Sequence, residues 1–514
     1  DLKLIEADLG FEISVEAAFT DWFSGTDLAM IAPAAPGQEP TFLWLTGVKN
    51  GEKVEKVLRQ IEKEIAEDHA TSDTAAAASP IKEEKYRDVV IKSMPSADGT
   101  AYYSLFAKRL AVSNSLLALQ SVIDRVKEPG KGSTLADNPK FVAATKGLKM
   151  QKPHVLVYMD YSSILDALPQ AAMSLQLRKD MGQDLTFAMG FALESTRARF
   201  EGFCPVDMAS DSIIARNIKK FPPGKISIGS YVPSTTLLYS SANTFDGEVI
   251  YDQFREMMAS MAPYSAMGMS QPGTDPNAAF DAKIKELEAN LGFRVKEDLL
   301  MQIGPEVGVG LNDIRALPMS APVVNLTVAV QAKDADKIKQ TMEKLVAYIE
   351  KEMAASMPPP GSMGPGQAPP PAPKFESVDY AGTTLRYLTL PMMPYSPGYA
   401  IKDKTLLITL TVDGLKNALD CHAGSVATVT SAAGYVEAMK VVGEGPVNGE
   451  SYVDCAGLVE VVKTFVGPFL QMNPNPQSEF GLAFMESLKR IKILAGVTRT
   501  GPQGIRYEGL MTME

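Results

Sequence analysis

Leu291 to Leu311, LGFRVKEDLLMQIGPEVGVGL, decides how the chain is read, because Leu9 to Ile31, LGFEISVEAAFTDWFSGTDLAMI, echoes it. Each stretch opens with Leu-Gly-Phe, continues as a helix-like run and ends in a Gly with an apolar alternation that suits a strand. The echo continues downstream in the same order. FLWLTGVKNGEKVEKVLRQIEKEI from Phe42 pairs with VNLTVAVQAKDADKIKQTMEKLVAYI from Val324, a strand and then a helix in each. In the two helices Val54, Val57, Leu58, Ile61 and Ile65, and then Ile338, Met342, Leu345, Ile349 and Met353, fall on single apolar stripes.

Farther on, FAKRLAVSNSLLALQSVID from Phe106 matches IKDKTLLITLTVDGLKNALD from Ile401 and sets Asp124 on Asp420. VYMDYSSIL matches SYVDCAGLV, setting Asp160 on Asp454. RARFEGF (Arg197 to Phe203) matches GIRYEGL (Gly504 to Leu510), setting Arg199, Glu201 and Gly202 on Arg506, Glu508 and Gly509. Matches that keep their order over nearly the whole chain make a tandem duplication the expectation, with a first repeat at 1–220 and a second at 221–514. Only the second has a lead-in, the β-rich KISIGSYVPSTTLLYSSAN followed by the helix-like YDQFREMMASM. Its counterpart in the first repeat is either lacking or upstream of Asp1.

The strands come in neighbouring pairs, such as KFESVDYAG with TTLRYLTL and GYAIKD with TLLITLT. Turns this short make antiparallel hairpins, since a parallel pair needs a crossover of about a dozen residues or more. The expected class is α+β: two tandem pseudo-repeats, each a mainly antiparallel sheet with helices packed on one face. Pro/Met-rich loops are expected at 261–279 and 357–373, where proline removes donors and favours extended backbone.

The order just traced, with PSTTLLYSSAN opening a repeat, LGFRVKEDLLMQIGPEVGVGL in its middle and GYAIKDKTLLITLTVDGLKNALD later, resembles an uncharacterised bacterial family catalogued as a domain of unknown function, number three thousand three hundred and fifty-two. The resemblance covers most of the second repeat and, more faintly, the first. It implies an extracytoplasmic protein behind an N-terminal signal or anchor, and it carries over no catalytic residues. A chain that starts with Asp fits removal of a signal peptide or a start within a longer protein.

Composition bounds the partners. The net charge of −11 argues against nucleic acid, whose binders need clustered Lys and Arg. No apolar run reaches the ~18 residues that span a bilayer. Cys204, Cys421 and Cys455 form no Cys-x-x-Cys pair and rule out a disulfide framework.

Reactive motifs are scarce. His69, His154 and His422 lie in unrelated contexts without metal-ligand spacing. No Gly-x-Ser-x-Gly elbow occurs, Ser79-Pro-Ile-Lys82 sits in an Ala-rich break, and the Gly130 turn fails the spacing of a phosphate loop. Neither a metal nor an organic cofactor is expected.

The candidate positions are therefore paired polar ones and methionines. Arg199 and Glu201, like Arg506 and Glu508, lie two apart in a strand and project from one face, as an ion-pair ladder or as a site for a charged group. Asp160 and Asp454 end strands ahead of helices, where a carboxylate caps the first turn. Met257, Met258, Met261, Met267 and Met269, with Met357 and Met363, cluster near the loops, and flexible thioethers suit an apolar or protein partner.

The reading is a non-catalytic extracytoplasmic protein acting through its surfaces, as a scaffold, an assembly subunit or an envelope-associated binding protein, with a protein partner or self-assembly. The alternative is a carrier holding an apolar small molecule or lipid in a sheet-helix cavity. Third comes a hydrolase whose site is assembled from scattered Asp, Glu, Lys and Tyr.

Overall fold

A computed structural model describes residues 22–31, 39–71, 81–96, 99–167, 178, 180, 182, 185–261, 275–315, 323–356, 373–390, 393–472, 481 and 485–514. Met267, Met269, Met357 and Met363 lie outside these residues. Every strand pairing among the described residues is antiparallel, in one six-stranded and one thirteen-stranded sheet. The fold class is α+β.

The first sheet is built from β1 (Phe23–Ile31), β2 (Thr41–Val48), α1 (Gly51–Thr71), β3 (Lys82–Tyr86), β4 (Val89–Ser96), β5 (Gly99–Phe106), β6 (Arg109–Ser113) and α2 (Leu116–Lys127). Its strand order is β1-β2-β6-β5-β4-β3. Two-residue turns with both φ angles positive, Arg87 and Asp88 and then Ala107 and Lys108, close the β3–β4 and β5–β6 hairpins. That geometry matches the natural twist of the flanking strands. Helix α1 sets Val54, Val57 and Leu58 against Leu110 and Val112. Helix α2 sets Leu119, Val122 and Ile123 against Ile91 and Ala111. Ala111 lies between Leu110 and Val112 along β6, so the two helices cover opposite faces.

The second sheet holds α3 (Pro139–Lys146), β7 (Val155–Asp160), α4 (Tyr161–Ala167), β8 (Thr186–Leu193), β9 (Arg197–Pro205), α5 (Ile213–Lys220), β10 (Leu238–Ala242), α6 (Gly247–Met261), α7 (Pro276–Leu291), β11 (Ile303–Arg315), β12 (Val323–Ala332), α8 (Ala335–Ala355), β13 (Lys374–Tyr380), β14 (Thr383–Thr389), β15 (Gly398–Lys402), β16 (Thr405–Thr409), α9 (Val412–His422), α10 (Ala433–Val442), β17 (Gly449–Asp454), α11 (Cys455–Met472), β18 (Ile491–Gly501) and β19 (Gly504–Met513), among the elements before and after its strands. The strand order is β13-β14-β15-β16-β12-β11-β10-β17-β18-β19-β9-β8-β7.

Its first six strands run in the order of the smaller sheet, β3-β4-β5-β6-β2-β1, and pair in the same register. Tyr86 stands opposite Val89 as Tyr380 stands opposite Thr383, and Tyr102 opposite Ser113 as Gly398 opposite Thr409. One hydrogen bond recurs as well. Tyr86 donates to Asp124 at 3.1 Å, and Tyr380 donates to Asp420 at 2.9 Å. Likewise Tyr158 faces Ala188 and Ala188 faces Phe203 on β7 to β9, as Tyr452 faces Ala495 and Ala495 faces Leu510 on β17 to β19.

Two features differ in detail from the expected layout. The compact units divide the chain differently from repeats at 1–220 and 221–514: one is Asp1–Pro139 with Ser162–Ser174, the other Lys140–Tyr161 with Leu175–Glu514. The cause is β19, which pairs with β9 and draws β7 to β9 into the second sheet. Nor do helices keep to one face. Helix α8 packs Ile338, Met342 and Val346 on Leu406, while α9 packs Leu415, Ala418 and Leu419 on Leu407. Strand β16 buries neighbouring leucines on both sides, each contributing on the order of 2 kcal/mol, so both faces need cover.

The lead-in is seated by contacts no short motif announces. Glu306, 5% exposed, accepts the backbone N–H of Ile228 at 2.6 Å and the hydroxyl of Ser227 at 2.9 Å. Gly308 and Gly310 of β11 lie where a Cβ would strike Ile228 and Val232, at 2.4 and 2.7 Å.

Candidate functional site

The densest gathering of charge lies where β9 and β19 meet. Glu201 and Glu508 are register partners there, two like charges side by side. Such a pair is destabilising unless donors surround it. Glu201, 5% exposed, accepts the backbone N–H groups of Lys149 and Met150, at 2.8 Å each, and forms an ion pair with Arg506 at 3.1 Å. Glu508 takes the Lys149 ammonium at 2.6 Å and the Arg499 guanidinium.

The two arginines also reach the ends of helices. Arg506 donates to the carbonyl of Gly147 at 2.7 Å, just past α3, and Arg499 to that of Gly443 at 2.7 Å, just past α10. Cations there satisfy carbonyls that have no partner within the helix and meet the negative end of its dipole. Arg199, at the place matching Arg506, turns away to Glu194 at 3.1 Å. Arg197 and Arg199 together hold the Glu194 carboxyl below its ordinary range. A cavity of about 330 Å³ is left at the seam, lined by Lys149, Arg199, Glu201, Val442 and Glu508 among others.

The structure thus brings Glu201, Arg506 and Glu508 together and sets Arg199 at the cavity's margin. Chemically the carboxylates are committed to their own chain: they fasten the loop at Lys149 and the ends of two helices to the sheet. Neither Lys149 nor Arg499 carries a local motif: Lys149 reaches Glu508 from 359 residues away, and Arg499 reaches it across the β18–β19 hairpin.

Asp454 caps α11, accepting the Gly457 N–H at 2.9 Å. Asp160 precedes α4 and lies 3.7 Å from Lys140. Met257 is 46% exposed on α6, Met258 is half-buried beside it, and Met261 ends that helix. Among the described residues no group of three His, Cys, Asp or Glu is placed to hold a metal. Burial pushes the thiols of Cys204 and Cys421 up to about 11, which keeps both protonated and poorly nucleophilic.

A second cavity, about 440 Å³, lies between α5 and the sheet. Ile214, Ile218 and Ile505 give it an apolar wall, and Ser240, Ser451 and Tyr507 a polar one.

The chain belongs to the family described as Protein of unknown function (DUF3352), whose profile matches residues 12–357. The match ends at residue 357, ahead of GYAIKDKTLLITLTVDGLKNALD, a reach different from the one the motifs suggested. No curated protein and no solved structure matches the chain. Among the described residues no helix is long and apolar enough to cross a membrane.

Proposed function

We propose that this is a non-catalytic extracytoplasmic protein, descended from a tandem duplication, that acts through its surfaces as a scaffold, an assembly subunit or an envelope-associated binding protein. The observation that carries the reading is an apolar stripe on α6. Ile250, Phe254 and Met257 recur at helical spacing and are 39%, 47% and 46% exposed. Phe280 braces the stripe, its ring 6.0 Å from that of Phe254. The adjoining polar side is tied down by Arg255, which pairs with Asp281 at 2.5 Å. Apolar side chains grouped on a helix face and framed by ion pairs suit a protein partner.

Mild purification from native cells tests this. A stoichiometric partner, or self-assembly, is expected with the wild-type protein and is lost in Phe254→Asp. A variant that keeps the same assembly overturns the surface, and recovery from the cytoplasmic fraction overturns the location. The carrier reading has the 440 Å³ cavity behind α5 in its favour. A lipid or other apolar molecule travelling with the protein, and lost in Ile218→Trp, would favour it over the scaffold.

A further inference from the structure

The thirteen-stranded sheet ends on β13 at one side and on β7 at the other, and the two edges differ. Strand β13 reads KFESVDY, with Lys374, Glu376 and Asp379 spreading charge along it. Charges on an edge strand discourage pairing with other chains. Strand β7 reads VLVYMD, and Val155, Leu156 and Val157 stand 45%, 43% and 37% exposed. An apolar edge of this kind invites another strand.

Strand β17, which occupies the place of β7 in the other arm, shows what fits. Strand β10 lies along it, with Tyr239 opposite Tyr452 and the Asp454 N–H donating to the Leu237 carbonyl at 2.8 Å. Tyr239 completes a core with Tyr435, Tyr452, Ala495 and Leu510. The β7 arm repeats that core with Tyr158, Ala188 and Phe203, and with Phe141 packed on Tyr158. No strand among the described residues stands beside β7 where β10 stands beside β17. The Tyr158 hydroxyl is buried and has no hydrogen-bond partner among them.

We propose that the open edge of β7 binds an extended segment of another polypeptide by strand addition, with an aromatic residue opposite Tyr158 and a hydrogen-bonding side chain near its hydroxyl. Main-chain pairing supplies the affinity and the Tyr158 position the selectivity. The His154 N–H donates to the Phe191 carbonyl at 2.7 Å just ahead of β7, and the Tyr161 N–H to the Leu185 carbonyl at 3.0 Å just after it. Counted back from Tyr161 through the regular register, the donors of Met159 and Val157 turn to β8 and those of Leu156 and Tyr158 face outward. Strand β1 also ends its sheet. It carries Asp27 and Ala29 opposite Leu45 and Leu43, where β11 sets Gly308 and Gly310 opposite Ala329 and Thr327, so the room β11 makes for the lead-in is missing there. The proposal names a second contact for the surface-acting reading and rests on that reading, while using no residue of α6.

Hydrogen exchange of the full chain with a synthetic peptide of residues 235–243, TTLLYSSAN, is the test. At peptide about tenfold above its Kd, exchange across Val155–Asp160 is expected to slow roughly tenfold, with β13 unchanged. Leu156→Pro, which removes an outward donor, abolishes the slowing. Leu156→Lys, whose side chain is already exposed, weakens it in a protein whose fold is not in question. No slowing at any soluble peptide concentration overturns the proposal, and so does slowing at β1 alone. Two results with the protein by itself do the same: β7 amides as slow as those of β18, meaning the chain covers its own edge, or slowing that grows with protein concentration, meaning a second copy does. Because Phe254→Asp leaves β7 intact, failure here and failure of the α6 surface are told apart.

Discussion

Tyr435 and Glu450 in one arm of the large sheet stand where Phe141 and Leu156 stand in the other. In the first arm the Tyr435 hydroxyl donates to Glu450 at 2.7 Å; in the second neither side chain has a polar group. The ring pairs keep their form, Tyr435 on Tyr452 at 6.2 Å and 64°, Phe141 on Tyr158 at 5.1 Å and 74°. The chemistry has changed in couples while the strand pairing has stayed. A lone member of the polar couple would be buried without its partner, and that penalty exceeds what the pair contributes. The seam follows the same logic: Arg499 serves Glu508 from β18, and at the matching place on β8 stands Ala192.

The largest test of the comparison is Glu201→Ala. It strips Arg506 and two backbone donors of their acceptor at a buried position, at a cost of about 3–5 kcal/mol. Glu508→Ala should cost less, roughly 1–3 kcal/mol, because its Lys149 partner is 63% exposed and can turn to water. Urea unfolding of the two variants measures both, and equal losses would refute the unequal roles of the two carboxylates.

Next comes the polar couple. Tyr435→Phe alone should destabilise by about 1–3 kcal/mol, and the double variant Tyr435→Phe, Glu450→Leu should recover most of the loss. The recovery depends on pH. Burial holds the Glu450 carboxyl above its ordinary range. The stability it contributes is therefore full below that ordinary range and is lost as pH rises through the raised pKa. The double variant should gain on the wild type as pH climbs, and a gap that does not change with pH would contradict this. The smallest effect is expected from Tyr158→Phe, which removes the unpartnered hydroxyl. Stability should rise by up to about 1 kcal/mol, and a measured loss would mean that the hydroxyl has a partner in solution.

Much of the fold is legible in local sequence patterns. The hairpin spacing and the matching of Asp124 with Asp420 and of Asp160 with Asp454 follow from local patterns, and the registers agree with them; the first copy of the Leu-Gly-Phe echo lies outside the described residues. What escaped was non-local. TLLIT on β16 reads as a strand, yet nothing in five residues tells that Leu406 and Leu407 are both covered by helices. Glu201 looked like half of a solvent-facing ladder because its donors, the backbone N–H groups of Lys149 and Met150, carry no side-chain signature and come from more than fifty residues away. Arg506 was legible as a partner for a carboxylate, but its bond to the Gly147 carbonyl was not. The end of α3 reaches β19 beside the strand pairing of β9 with β19.

That pairing is symmetric about its middle: Arg199 faces Leu510, Phe203 faces Arg506, and the two glutamates face each other between them. An edge with this pattern is complementary to itself. Either arm, freed from the other, would carry a surface that a duplicate of the same arm could fill, so fragments divided between β9 and β19 face homotypic association before they face solvent.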